Sequence, residues 1–220
     1  MDVLKSERSF WAIRGAPVSK AVAKPVSNPA AVAAALDLFW RKGYADTSMA
    51  EIVEATGLNR YAIYSNFGSK RDVFLAALDA YFEEGRKRFE PIIRDHDAPP
   101  MDRVRRCFDE TIAKMEEQGS GCFMCHVAVQ NASEDPKIAE AVQRYFDTIL
   151  MMVEIMMQEA EEAGTLNPAL SPAVAAELYF DSMLSMGVHA KAGATRERLD
   201  AVTNAAMAAL SAPAPAPEQA

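Results

Sequence analysis

Between Thr47 and Lys70 this chain places two helix caps, a glycine stop and two short helical runs within 24 residues, and that spacing leaves few ways to fold. Ser48 and Glu51 stand three apart, as in a capping box, where the hydroxyl accepts from the amide three residues on and the carboxylate reaches back. A helix therefore starts after Ser48. It carries Ile52 and Val53 and must stop at Gly57, because a residue without Cβ takes the left-handed turn at little cost. Asn59 caps the next helix. There Ile63 and Phe67 share one face with Leu58 just before it, while Arg60, Tyr61, Ser65 and Asn66 lie elsewhere around the cylinder. Gly68 ends this helix, and Ser69 with Asp72 repeats the cap-plus-acid signature for a third. The layout is a helix-turn-helix, with one face to pack and one to read.

An ordinary helical hairpin in an all-α core would show the same helix, glycine, helix order. Two features separate the cases. The second helix is only about two turns long and carries polar and aromatic residues where a core helix would carry leucine. The run from Leu36 to Tyr44 supplies the supporting helix that a reading domain needs. Charge agrees with this. The chain carries −8 overall, but residues 1–75 hold +3 and the other 145 hold −11. A mildly basic head on an acidic body suits a duplex touched by the head alone, with affinity that falls as salt rises. Arg60 can pair with guanine or bind a phosphate, and Asn66 can meet adenine or a backbone oxygen. Thr47 and Ser48, at a helix start, suit the DNA backbone.

The residues also carry a resemblance. Ala35-Leu36-Asp37-Leu38-Phe39, Lys42-Gly43-Tyr44, Thr47-Ser48-Met49, Ile52, Gly57-Leu58, Ile63-Tyr64, Phe67 and Ser69-Lys70 resemble the N-terminal signature of the tetracycline-repressor (TetR) family of bacterial regulators. The resemblance covers about residues 29–82, without a gap. It implies that Tyr64 and Lys70 hold phosphates; for Tyr64 a half-buried core position fits equally. Tyr61 departs from the family, where a small residue is frequent, so base preference does not carry over. The expected DNA-binding set is Thr47, Ser48, Asn59, Arg60, Tyr61, Ala62, Tyr64, Ser65, Asn66 and Lys70.

Downstream the chain reads helix after helix, and no segment reads as a strand. The third element should run through Phe74, Leu78, Tyr81 and Phe82 and end near Glu90, since Pro91 cannot donate. Val104, Phe108, Ile112 and Met115 mark another helix. Cys122 to about Ala132 is a short apolar one, and Ile138, Val142, Tyr145, Ile149, Met152 and Met156 form a seam on a long one. Ser171-Pro172 caps a helix to about Ala190 whose apolar residues, among them Val174, Leu178, Phe180, Met183 and Met186, cover most of its circumference. One chain cannot cover such a helix, so a partner is expected. The resemblance implies a four-helix dimer interface from the last two helices, here within residues 171–210. Two heads about 34 Å apart would then read a palindrome in successive major grooves.

The expected fold is all-α, with about nine helices. A flexible basic arm occupies 1–28, a helix-turn-helix domain 29–70, an effector-binding and dimerisation domain 71–211, and a disordered tail 212–220. The arm, with Lys5, Arg8, Arg14, Lys20 and Lys24, is either a plain terminus or a segment following the DNA backbone or minor groove. No apolar run approaches a membrane span and no secretory signal is visible. Three cysteines without an export signal point to a reducing cytoplasm, and no cofactor or metal is expected.

Cys122-Phe123-Met124-Cys125-His126 is the one motif that the helix-turn-helix does not absorb. It has the form of a c-type haem attachment site, which needs export, and of three zinc ligands whose fourth would have to come from Cys107, His96 or water. A redox pair fits better. Cys122 near a helix N-terminus would attack and Cys125, one turn on, would resolve; the alternative is two cysteines acting as small hydrophobes. Phe108, Ile112, Met115, Phe123, Tyr145, Met152 and Met156 are candidate linings of an effector pocket, or plain core. The functional expectation is a non-enzymatic DNA-binding regulator, a repressor that binds a palindromic operator as a homodimer until a small apolar or electrophilic effector releases it. The alternative is a thiol redox sensor or oxidoreductase, or a haem or metal protein, built on the Cys122–His126 motif.

Overall fold

The protein is described by a computed structural model, which covers residues 28–119, 121–131 and 135–213. The proposed arm, apart from Asn28, and most of the proposed tail lie outside the described residues. Among these residues the chain forms nine helices: α1 (Pro29–Lys42), α2 (Met49–Thr56), α3 (Arg60–Asn66), α4 (Lys70–Ile93), α5 (Pro100–Gln118), α6 (Phe123–Asn131), α7 (Pro136–Glu162), α8 (Pro172–Lys191) and α9 (Arg196–Leu210). The all-α expectation holds. The only extended pairing among the described residues is an isolated antiparallel bridge, Leu166 with Ser211, flanked by Asn167 N–H to Leu210 O and Ala212 N–H to Thr165 O, both 2.8 Å.

The chain gathers into two compact units, one of residues up to 88 with 126–146, the other of 89–125 with 147 onward. In the first, Asn28 caps α1 by accepting from Ala31 N–H at 3.0 Å. Ala31, Val32, Ala35, Leu36 and Phe39 form its buried stripe at helical spacing. Phe39 meets Phe74 edge-on with ring centroids 4.9 Å apart, and Tyr44 lies 4.7 Å from Phe74. Every residue from Val73 to Leu78 is buried, so the start of α4 is the spine of this unit. Tyr81 and Phe82 continue it and meet Tyr145 at 6.0 and 5.8 Å.

In the second unit α5, α8 and α9 pack on one another. Leu199, Thr203, Ala206 and Leu210 supply the buried stripe of α9, and Phe108 on α5 meets Tyr179 on α8 at 4.4 Å. Arg103, only 1 % exposed, donates to Ile93 O at 2.7 Å and pairs with Glu159 of α7; His96 Nδ1 lies 3.6 Å from the other Glu159 oxygen. A buried guanidinium is tolerable only with such partners.

One boundary differs from the sequence reading. α4 does not end near Glu90 but carries Pro91 within it and stops at Ile93. An interior proline costs ~3 kcal/mol, whereas burying Ile92 and Ile93 contributes about 1.5–3 kcal/mol each. Burial wins, and the helix continues.

Candidate nucleic-acid interface

The turn geometry follows the local chemistry. At the start of α2, Ser48 Oγ accepts from Glu51 N–H at 3.3 Å, while Glu51 Oε2 accepts from Ser48 N–H at 2.9 Å and from its hydroxyl at 2.8 Å. Lys42, the last residue of α1, pairs with the same carboxylate and with it draws the Glu51 pKa down to about 2. The box therefore also ties α1 to α2. Gly57 closes α2 in the left-handed conformation, φ 66°, its N–H reaching Val53 O at 3.1 Å. Asn59 then caps α3 by accepting from Ala62 N–H at 2.8 Å.

α3 is anchored by one fully buried side chain, Ile63, with Phe67 half-buried just after it. Around the rest of the helix Arg60, Tyr61, Tyr64, Ser65 and Asn66 are exposed and Ala62 is partly so. Tyr61 is 82 % exposed and Tyr64 47 %. A large aromatic left bare on a two-turn helix contributes nothing to the packing of this chain. It is a surface for something else.

Not all expected contacts share that surface. Thr47, read from sequence as a backbone contact, is 1 % exposed, and its hydroxyl donates to Gly43 O at 2.6 Å. The competing acceptor is the carbonyl of Gly43, a turn residue at φ 87°, which the threonine satisfies inside the fold. Ser48 stays exposed although its hydroxyl serves the cap. Lys70 is half-buried: Nζ donates to Ala45 O at 3.2 Å and sits 4.6 Å from the Tyr44 ring centre, and burial lowers its pKa. It braces the Tyr44–Asp46 turn.

Sequence reasoning missed that residues 126–146 belong with the head. Gln130 Oε1 of α6 lies 3.4 Å from where a Cβ on Gly43 would stand, and Asp135 is 3.5 Å from Arg71 Nη1. Nothing local in the sequence marks these pairings, whose partners are more than 60 residues apart.

The expected pocket residues divide. Phe108, Ile112, Met115, Phe123, Met152 and Met156 are all buried and belong to the second unit. Tyr145 belongs to the first, among Tyr81, Phe82 and Phe146. Cys122 and Cys125 are partly exposed and Cys107 is buried, its thiol pushed up to about 12 by burial. Cys125 is held protonated by its hydrogen bond to Cys122 and by burial. Among the described residues no group of three or more His, Cys, Asp or Glu is placed to hold a metal ion, and no helix is long and apolar enough to cross a membrane.

Comparison with known proteins gives the same reading of the head and extends it to the body. Residues 31–77 match the family described as bacterial regulatory proteins, tetR family, and residues 100–207 match the tetracyclin repressor-like C-terminal domain. The uncharacterised HTH-type transcriptional regulator YezE of Bacillus subtilis is 27 % identical over 174 residues, covering 75 % of this chain and 86 % of that one. The HTH-type transcriptional repressor ComR of Escherichia coli is 25 % identical over 187 residues, 80 % of this chain and 85 % of that one. Among solved structures, a cysteine mutant of the TetR-family regulator CifR, complexed with a 26-base-pair operator DNA, superposes with a TM-score of 0.74 at 26 % identity, covering 85 % of this chain and 98 % of that one. Two domain matches in register and a helix-turn-helix with a bare second helix lead to one conclusion: the chain belongs to the TetR family of bacterial DNA-binding transcriptional regulators.

Proposed function

We propose that this regulator is a repressor that binds a palindromic operator as a homodimer through α3 and leaves it when a small apolar or electrophilic effector occupies the second unit. The observation that carries the reading is α3 itself, held by Ile63 and otherwise open at Arg60, Tyr61, Tyr64, Ser65 and Asn66. Those five, with Ser48, Asn59 and Ala62, make the proposed contact set. Thr47 and Lys70 act behind it by fixing the turns. The operator-bound relative supports DNA as the partner, and ComR supports repression.

Homodimerisation through residues 171–210 is supported by α8, where the apolar side chains of Val174 and Val188 are 54 % and 65 % exposed. Release would follow a population shift, the effector favouring a head spacing that fits only one of two half-sites. Residues 29–70 would be the reading head and 71–211 the effector and dimer domain. Its relatives are regulators rather than enzymes, and we assign no catalytic residue and no cofactor; the site of action is the cytoplasm, beside the chromosome.

The test is selection of duplexes from a random pool, with the mass of the complex measured by sedimentation. An inverted repeat bound by an even number of chains is expected. A single asymmetric site bound by one chain would overturn the dimeric reading.

A further inference from the structure

Helix α6 begins with a pair of thiols and ends against the head. Cys122 is the residue before the helix and Cys125 lies in its first turn, three residues on; a disulfide spans Cα separations of about 4.4–6.8 Å, the distance that one helical turn sets. The two thiols are hydrogen-bonded to each other and both are partly exposed, unlike Cys107. Behind them lies α8. A Cβ on Gly121 would stand 2.1 Å from Gly187 O, and a Cβ on Gly187 would stand 3.3 Å from Cys122 Cβ and 3.8 Å from Cys125 Sγ. Gly187 is a glycine in a helix interior, present where two backbones meet.

From this geometry we propose that Cys122 and Cys125 are a peroxide-sensing dithiol whose oxidation to a disulfide releases the regulator from DNA. The proposal supplies the regulation for the DNA-binding reading above and rests on it. Cys122 attacks, because the Cys125 proton is held by its partner and by burial. The Cys122 sulfur bonds to one peroxide oxygen, the O–O bond breaks, and the hydroxide that leaves takes up the Cys122 proton as water. The Cys125 sulfur then attacks the sulfenic sulfur, the S–O bond breaks, and the departing hydroxide carries off the Cys125 proton as a second water. Two thiols lose two electrons and the peroxide is reduced to two waters.

Cys122 is backed against Gly187 of α8 and cannot move further toward it, so closure falls on the first turn of α6. That helix is nine residues long and continuous. Its far end sets Gln130 beside Gly43, the turn between α1 and α2, and the chain after it sets Asp135 beside Arg71 at the start of α4. On this proposal a change in its first turn would act on the head through that helix.

The experiment uses the full chain and a duplex selected by the reduced protein. Stoichiometric hydrogen peroxide is added, disulfides are mapped by mass spectrometry, and binding is followed by fluorescence anisotropy. A 122–125 disulfide with affinity weakened at least about tenfold, restored by dithiothreitol, is expected. Cys107→Ser should respond in the same way, and Cys122→Ser and Cys125→Ala should bind the duplex but ignore peroxide. A chain that forms the disulfide yet binds within about twofold, or peroxide that oxidises Cys107 or joins two chains instead, overturns the proposal. If the reduced protein selects no duplex, the assignment of the head has failed and the mapped disulfide alone judges the thiols.

Discussion

Tyr61 and Arg60 project from α3 into solvent, and neither side chain supports the fold. Replacing Tyr61 by Ala should leave the urea midpoint almost unchanged, since exposed substitutions stay within about 0.5 kcal/mol, while weakening the selected duplex. Arg60→Ala should cost about 1–3 kcal/mol of binding and relax preference at one base pair if Arg60 reads guanine; a uniform loss across sequences would assign it to phosphate. Glu51 works the other way, inside the fold. Its carboxyl is depressed to about 2 from an ordinary value near 4.5, so its contribution to stability is complete above pH 4.5 and is lost as pH falls toward 2. Urea titrations of the protein and of Glu51→Gln should therefore differ at neutral pH and converge in acid. A constant gap would mean that the carboxylate charge is not what stabilises the box.

At the scale of elements, the crossing of the segment before α6 with α8 is the tightest contact that the glycines reveal. Gly→Ala at a compatible site stabilises by about 0.4–1 kcal/mol through the unfolded chain. At Gly121 the added methyl would meet a backbone carbonyl at 2.1 Å, so overpacking of about 1–3 kcal/mol should dominate. Thermal unfolding of Gly121→Ala should show a lower midpoint. Gly187→Ala should be milder, since its nearest neighbour is the Cys122 Cβ at 3.3 Å. Equal or reversed effects would show that the crossing yields. The caps of α1, α2, α3 and α8 came from single polar residues at Asn28, Ser48, Asn59 and Ser171. Three of these were legible from sequence because a cap is a contact over three residues.

At the scale of the whole molecule, a buried guanidinium joins three elements of the second unit. Arg103 of α5 reaches the end of α4 at Ile93 and Glu159 of α7. Glu159→Ala strands a buried guanidinium and should destabilise by about 3–5 kcal/mol, whereas replacing both partners with methionine should cost much less. Urea unfolding of the single and double variants decides this, and equal losses would mean that the charge is not the cause. No periodicity marks Arg103 as buried. It sits on an amphipathic helix whose exposed face also carries arginine, and its tertiary partners, Ile93 O and Glu159, 56 residues on, distinguish it.

What could be read from the chain alone was whatever a few neighbouring residues decide: the helix count, the caps, the glycine stop after α2, the bare face of α3 and the all-α class. These depend on spacings of three and four residues, which any sequence displays. Tertiary structure decided the rest. It carried α4 through Pro91 to bury two isoleucines, placed Tyr145 with the head and backed the two thiols with Gly187. Each of these is settled by a partner distant in sequence, or by burial outweighing a local penalty, and neither is written in the neighbourhood of the residue it governs.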